Sequence, residues 1–315
     1  MNNVALLILF NHNYEKNITR LKHIYHDRFS NIYFIMPFYQ GDDENVISVY
    51  ENSYYFQGYI TQALNQLKGK QFTHYIFIGD DLILNPGINE LNYKDFFSIS
   101  CNEAFIPNFF YLNDLKETKP FRPFAPYWVH QSSAINFKAK QDGIEAATYL
   151  PSYQDAEKLL QNQGLNFTPE MPRRMFIPKP IFKQNQSFRN NLKRLKVIVD
   201  NFKYLISTPK IPYPFIGSYS DILIVPGRYK DKFILYTGIL TALRLFVEIA
   251  IPSALAYSVP KVVTEKDLDF KGQTYWGESD FVNLEKKYEG SLDLLFEKFP
   301  DKCLYIHPIK LSKWK

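Results

Sequence analysis

Ala5 to Phe10 is an unbroken apolar run, short for a helix and suited to a strand covered on both faces. From Glu15 to His26 the pattern changes, with Ile18, Leu21, Ile24 and Tyr25 at helical spacing. Ile32 to Met36 is a second buried strand. Phe56, Tyr59, Ile60, Ala63, Leu64 and Leu67 then fall at i, i+3, i+4, i+7, i+8 and i+11. That spacing predicts an amphipathic helix, with Ser53 as its candidate N-cap and Gly69 positioned to end it. A third apolar run, His74 to Ile78, leads straight into Gly79-Asp80-Asp81.

The middle of the chain is less regular. Pro120, Pro123 and Pro126 mark Lys119 to Pro126 as loop, and Asp155 to Gln163 reads as a short helix. After a lead-in carrying Pro172, Pro178 and Pro180, the residues Phe188, Leu192, Leu195, Val199, Phe202 and Leu205 predict a long helix over Ser187 to Ser207. Order resumes with a strand from Asp221 to Val225, helices through Lys230 to Tyr257, and a last strand from Cys303 to Ile306. There is no internal repeat. Strands alternating with helices predict an α/β fold whose first part is a Rossmann-like nucleotide-binding half. One elaborated domain over 1–315 is expected, divided as 1–110, a helical and loop insertion at 111–210, and 211–315.

Composition excludes several classes. The 315 residues include 27 Phe, 23 Tyr and 3 Trp, and 46% are hydrophobic, which argues against disorder. Two cysteines make neither a disulfide scaffold nor, unaided, a zinc site. The apolar start lacks a basic flank and a small-residue cleavage site. The stretch Phe233 to Val259 is interrupted by Arg244, Glu248 and Pro252, so neither reads as a membrane span and a cytoplasmic protein is expected. The chain lacks a P-loop, a Gly-x-Gly-x-x-Gly after the first strand and a Gly-x-Ser-x-Gly elbow.

Charge changes the picture in one place. The net value is only +5, but residues 171–199 carry Arg173, Arg174, Lys179, Lys183, Arg189, Lys193, Arg194 and Lys196 and no acid. That segment is either a solvated helix face or a contact for an anionic acceptor, a lipid headgroup or the inner face of a membrane. No nucleic-acid motif accompanies it, so no nucleic-acid partner is expected.

Asp80 and Asp81 are the sharpest chemical signal. Ligands of open α/β sheets bind outside the carboxyl ends of the strands, where this pair stands. Adjacent carboxylates repel unless compensated, and hard oxygen ligands suit Mg²⁺ or Mn²⁺, which can hold a substrate diphosphate. The plainer reading is a surface turn. Glu248 is a second candidate, a carboxylate in an apolar stretch where burial unpaired would be expensive. Pro252 fits best near a helix start, which puts Glu248 just before that helix. Glu248 is then either a proton acceptor or the partner of Arg244, four residues earlier. The run Phe215-Ile-Gly-Ser-Tyr-Ser-Asp221 reads either as ordinary turn chemistry or as a binding loop.

With these residues in view, the chain resembles the GT-A class of nucleotide-sugar glycosyltransferases. The likeness rests on Phe10-Asn11-His12-Asn13 after the first strand, the helix from Tyr55, and the strand into Asp80-Asp81. It extends over residues 4–90 and 215–310. The resemblance implies a metal-holding Asp-x-Asp motif, whose first position here is Gly79. Asp81 then inherits the direct metal contact and Asp80 the metal or the ribose. It further implies His307 as an additional metal ligand, Lys310 on the phosphates, and Asn11 and His12 against the nucleotide, with Phe215 to Asp221 as an acceptor- or donor-sugar-binding loop. Glu248, or failing that Asp221, becomes the base of an inverting transfer. The halves flanking the insertion become the nucleotide-binding and acceptor-binding halves. A divalent cation (Mn²⁺ or Mg²⁺), a nucleotide-sugar donor and a carbohydrate or glycolipid acceptor follow, as in surface polysaccharide or glycolipid synthesis. Loop aromatics Tyr111, Tyr127, Trp128, Tyr219, Tyr275 and Trp276 are candidates for stacking on sugar faces. The rival readings are a sugar-phosphate nucleotidyltransferase, whose glycine-rich basic loop Asn11-His12-Asn13-Tyr14 does not match, and a non-catalytic binding protein.

Overall fold

The computed structural model describes residues 3–114, 133–138, 141–172 and 209–315, with positions 188, 191, 192, 195, 196, 199, 202, 206 and 207 between them. In chain order the elements are β1 (Val4–Leu9), α1 (Lys16–Tyr25), β2 (Asn31–Pro37), β3 (Val46–Val49), α2 (Phe56–Gln66), β4 (His74–Gly79) and β5 (Ile83–Leu84). There follow α3 (Tyr93–Phe97), β6 (Ala104–Phe105), α4 (Gln141–Ala147), α5 (Tyr153–Asn162), β7 (Ile222–Pro226), α6 (Lys230–Ala242) and α7 (Val247–Ser258). The chain closes with β8 (Val262–Val263), β9 (Lys271–Thr274), α8 (Glu278–Lys287), α9 (Leu292–Glu297) and β10 (Cys303–His307).

Seven strands form one mixed sheet in the order β3-β2-β1-β4-β7-β6-β8. β2, β1 and β4 run parallel, as the apolar runs predict, and β3, which the sequence reading did not name, joins them in parallel, while β7 lies antiparallel to β4. Alternate residues of β1 enter two separate cores. Ala5, Leu7 and Leu9 join Tyr59, Leu64, Leu240 and Ala254 on one face. Val4, Leu6 and Ile8 join Leu21, Tyr25 and Ile306 on the other. Burial on both faces is the physical reason the strands carry no polar alternation. Phe10, Tyr33, Phe34, Tyr75, Phe77 and Tyr305 are all buried there, so a large part of the aromatic content is packing.

Two features of the topology build the site. Because β7 is antiparallel to β4, it begins where β4 ends, and the Gly79 N–H donates to the Asp221 carbonyl at 2.9 Å. A second sheet, β5-β10-β9, starts two residues after Asp81. β5 pairs antiparallel with β10, which returns His307 to Asp81, and the Ile309 N–H donates to the Asp81 carbonyl at 2.6 Å.

Several expectations need correction. Asn52, not Ser53, supplies the cap ahead of α2, accepting from the Tyr54 N–H, and α2 ends at Gln66, before Gly69. Pro252 stands inside α7, which starts at Val247, so Glu248 lies in the first turn of that helix and not ahead of it. Cys303 fills core whereas Cys101 is exposed, and both are free. The predicted loop at 119–126, most of the predicted helix 187–207, Tyr127, Trp128 and seven of the eight basic side chains of 171–199 lie outside the described residues. No helix among the described residues is long and apolar enough to cross a membrane.

Candidate active site

At the carboxyl end of β4 the two carboxylates diverge. Asp80 is buried and turns toward the β1–α1 connection, accepting from Asn17 Nδ2 at 3.4 Å and from the Asn11 backbone N–H. Burial pushes its carboxyl up to about 7, with the adjacent Asp81 adding to the effect against these hydrogen bonds. Asp80 therefore ties the end of β4 to the loop after β1. Asp81, half-buried, faces the other way, with Oδ1 3.2 Å from His307 Nε2.

His307 closes the arrangement. Its Nδ1 is 3.5 Å from Asp221 Oδ2, so one buried imidazole stands between two carboxylates. Burial works against the charged ring, but Asp221, then Asp81 and Asp80, outweigh it and raise His307 to about 9. Burial likewise raises Asp221, with Asp81 adding to the rise and His307 opposing it. The sequence reading gave Asp221 to the base and His307 to the metal as separate roles. The antiparallel placement of β7 brings them into one cluster.

Beside this cluster lies a cleft of about 240 Å³ lined by Asn11, Ser53, Tyr54, Ser220, Asp221, Phe246 and Glu248, among others. Asn11, Asp221 and Glu248 thus share one cleft, although 237 residues separate Asn11 from Glu248 in the chain. Arg244 pairs with Glu51 at 2.7 Å instead of with Glu248. Pro252 has no N–H to give to the carbonyl four residues before it. That carbonyl belongs to Glu248 and accepts from the Ser218 N–H at 2.9 Å. The proline therefore joins the helix that carries Glu248 to the loop that carries Ser220 and Asp221.

Not every candidate meets here. His12 is exposed, with its ring 5.9 Å from that of Tyr14. Lys310 is exposed, its Nζ 5.2 Å from the Phe281 ring, away from the residues lining the cleft. Of the loop aromatics, Trp276 lies 5.9 Å from Tyr219 and 6.0 Å from His307, so these two rings flank the acidic cluster. Tyr111 and Tyr275 have local partners, Tyr111 with the Asn166 N–H and Tyr275 with Gln273. The sequence reading missed Asn17 and the Tyr54–Phe246 ring pair, whose centroids are 5.8 Å apart. Ser218 and Ser220, for which a binding loop and turn chemistry both stood open, are buried.

A divalent cation fits part of this donor set. Among the described residues no three His, Cys, Asp or Glu side chains form a ready metal cage. Two adjacent ligands of one Mg²⁺-sized ion stand about 3 Å apart, and such ions keep waters and substrate phosphates as their remaining ligands. The Asp81–His307 spacing of 3.2 Å suits such a shared ion. Among the described residues His307 Nδ1 and Ser220 Oγ are buried without hydrogen-bond partners, so the polar capacity they show is incompletely satisfied there. No family model matches the chain, and no curated protein matches it to a significant degree.

Proposed function

We propose that this chain is a glycosyltransferase of the GT-A type, moving a sugar from a nucleotide-sugar donor to an acceptor hydroxyl with inversion. The observation that carries the reading is the meeting of Asp81, His307 and Asp221 at the carboxyl end of a parallel strand, beside a cleft that Glu248 lines. Parallel α/β sheets bind nucleotides at that end. The antiparallel β7 and the second sheet supply the other wall.

Asp81 and His307 would hold Mn²⁺ or Mg²⁺. Such an ion, when bound, supplies positive charge against a departing diphosphate. Asp80, fixed by Asn17, would hold the β1–α1 loop so that Asn11 meets the nucleotide. Glu248, which lines the cleft, would be the base that takes the proton of the acceptor hydroxyl. Tyr219 and Trp276 offer aromatic faces for a sugar ring near the acidic cluster.

Thermal unfolding with UDP-, GDP-, CDP- and CMP-sugars, each with and without Mn²⁺, tests the reading. One nucleotide class is expected to raise the unfolding midpoint, and to do so more with Mn²⁺. Asp81→Ala is expected to remove the Mn²⁺ dependence. No stabilisation by any nucleotide would overturn the proposal, and unchanged Mn²⁺ dependence in Asp81→Ala would overturn the metal assignment.

A further inference from the structure

We propose that a second cavity, between α4, the end of α6 and the segment after β3, holds sugar residues of a neutral oligosaccharide acceptor. The assignment rests on the transfer reaction proposed for the cleft and names its acceptor. The cavity measures about 620 Å³, within the range of small-ligand sites, and its lining includes Glu51, Asn136, Phe137, Asp142, Thr241 and Arg244. It adjoins the cleft. Glu51 and Arg244 line the cavity, whereas Ser53 and Phe246, two residues further along each segment, line the cleft. The Phe246 N–H donates to Ser133 Oγ of the cavity wall at 3.3 Å, and the Phe246 ring lies 5.8 Å from that of Tyr54. An acceptor chain whose end hydroxyl meets Glu248 can continue past this ring pair into the cavity.

Arg244 is the feature that packing alone does not require. α6 ends in a left-handed turn, in which the Arg244 N–H donates to the Thr241 carbonyl at 2.9 Å and the Leu245 N–H to the Leu240 carbonyl at 3.1 Å. Arg244 takes the left-handed position at φ +53°, where glycine is the unstrained residue. A long cation kept there against the backbone preference points to a use for its side chain. The guanidinium is fixed from two sides, 5.0 Å from the Tyr55 ring and with Nη1 2.7 Å from Glu51 Oε2. Among the described residues nothing accepts from its other N–H groups, and Asp142 is exposed with no cation paired to it. Charge selects the ligand. The wall carries the carboxylates of Glu51 and Asp142 against this one guanidinium. An anionic ligand would be repelled by Asp142 and a cationic one by Arg244. A hydroxyl both donates and accepts, so a neutral sugar suits the carboxylate and the open edge of the guanidinium fork alike. Phe137 and Leu243 add an apolar wall for the C–H face of a ring.

Binding of the full chain to an immobilised glycan panel tests the assignment. Neutral oligosaccharides, acidic oligosaccharides and neutral monosaccharides are presented alone and with Mn²⁺ and UDP, GDP, CDP or CMP. At least one neutral oligosaccharide is expected to bind at least about tenfold more tightly than its terminal monosaccharide. Asp142→Ala and Arg244→Gly are each expected to weaken that binding about tenfold, the scale of one hydrogen bond to a charged group. Both variants should keep the fold, because Asp142 is exposed and glycine suits the left-handed turn. Both should also keep the nucleotide-dependent rise in unfolding midpoint, since neither residue lines the cleft. Binding unchanged in both variants, binding confined to acidic glycans, or no oligosaccharide binding by a chain that a nucleotide stabilises would overturn the acceptor site alone. Oligosaccharide binding that both variants weaken, in a chain that no nucleotide stabilises, would keep the sugar site and overturn the transferase reading.

Discussion

At the amino end of β4, His74 is wholly buried, with Nδ1 2.7 Å from the Tyr93 hydroxyl and Nε2 3.1 Å from the Glu103 carbonyl. A carbonyl only accepts, so Nε2 carries the proton and the Tyr93 O–H donates to Nδ1. Burial lowers this histidine to about 4, and the ring stays neutral. At the other end of the sheet His307 is nearly as buried, yet its neighbours are the carboxylates of Asp81 and Asp221, and it is raised to about 9. Two buried imidazoles thus stand in opposite charge states. At the amino end each ring nitrogen of His74 is matched to one partner. The carboxyl end holds charge in excess of its partners, including a buried Asp80 raised to about 7. Such an end is costly to the fold and useful to a ligand.

The comparison breaks most visibly at His307. Substituting glutamine removes the cation between Asp81 and Asp221 and leaves two carboxylates facing each other. His307→Gln is expected to destabilise the metal-free protein by about 3 kcal/mol in urea unfolding. Adding Asp221→Asn is expected to recover a substantial part of that loss, because it removes one of the stranded charges. If the double variant is no more stable than His307→Gln, the imidazole does not act by bridging the carboxylates.

The amino end predicts a pH response of defined sign. His74 has a folded value of about 4 against an ordinary value of 6.5, so the unfolded chain binds the proton more readily. Its contribution is fully present above pH 6.5 and is lost as pH falls from there through about 4, amounting to about 3 kcal/mol. Lys94 nearby lowers His74 further and does not change the sign. His74→Gln is expected to flatten this acid slope in denaturant titrations at pH 7, 5.5 and 4.5, whatever its stability at pH 7. An unchanged slope would mean that another group governs the acid response.

Much of this contrast was legible in the chain and part of it was not. β1, β2 and β4 announce themselves because strands buried on both faces need apolar side chains at every position. Asp80 and Asp81 are visible for the same reason, as the first charged residues after such a run. The partnership of Asp221 with His307 is not visible. It depends on β7 entering antiparallel beside β4 and on β10 pairing with β5, and these pairings span long stretches of sequence. Pro252 misled because the preference for a helix start presumes an unsatisfied donor there. Here the helix begins earlier and the freed carbonyl finds a partner outside it. Ser218 and Ser220 have the composition of a turn and the burial of core, which only their tertiary surroundings decide.

Asp80 sharpens the contrast from the opposite direction, since removing its charge relieves a cost. Asp80→Asn keeps an acceptor for Asn17 Nδ2 and ends the repulsion with Asp81. Above pH 7 it is expected to stabilise the metal-free protein by about 2 kcal/mol. The same variant is expected to weaken nucleotide binding in the thermal unfolding assay, because the charge that strains the fold belongs to the proposed site. A variant that loses stability would place Asp80 among the satisfied groups, like His74.

The smallest effect on stability, and the most local, is expected at Pro252. Alanine in its place restores an N–H that competes with Ser218 for the Glu248 carbonyl at 2.9 Å. The helix itself gains a normal hydrogen bond, so overall stability should change by less than about 1 kcal/mol in either direction. The loop from Ser218 to Asp221, by contrast, loses its main-chain tie to α7. The Ser218 amide is therefore expected to exchange with solvent at least about tenfold faster in Pro252→Ala, a change of about 1.4 kcal/mol in local opening. The His74 end, at the other end of β4, should exchange as before. Unchanged protection at Ser218 would show that the loop is held by Asn108, whose Oδ1 accepts from the Ser218 hydroxyl at 3.2 Å and from the Tyr219 N–H at 3.4 Å, and that the proline does not set the distance between Glu248 and the acidic cluster.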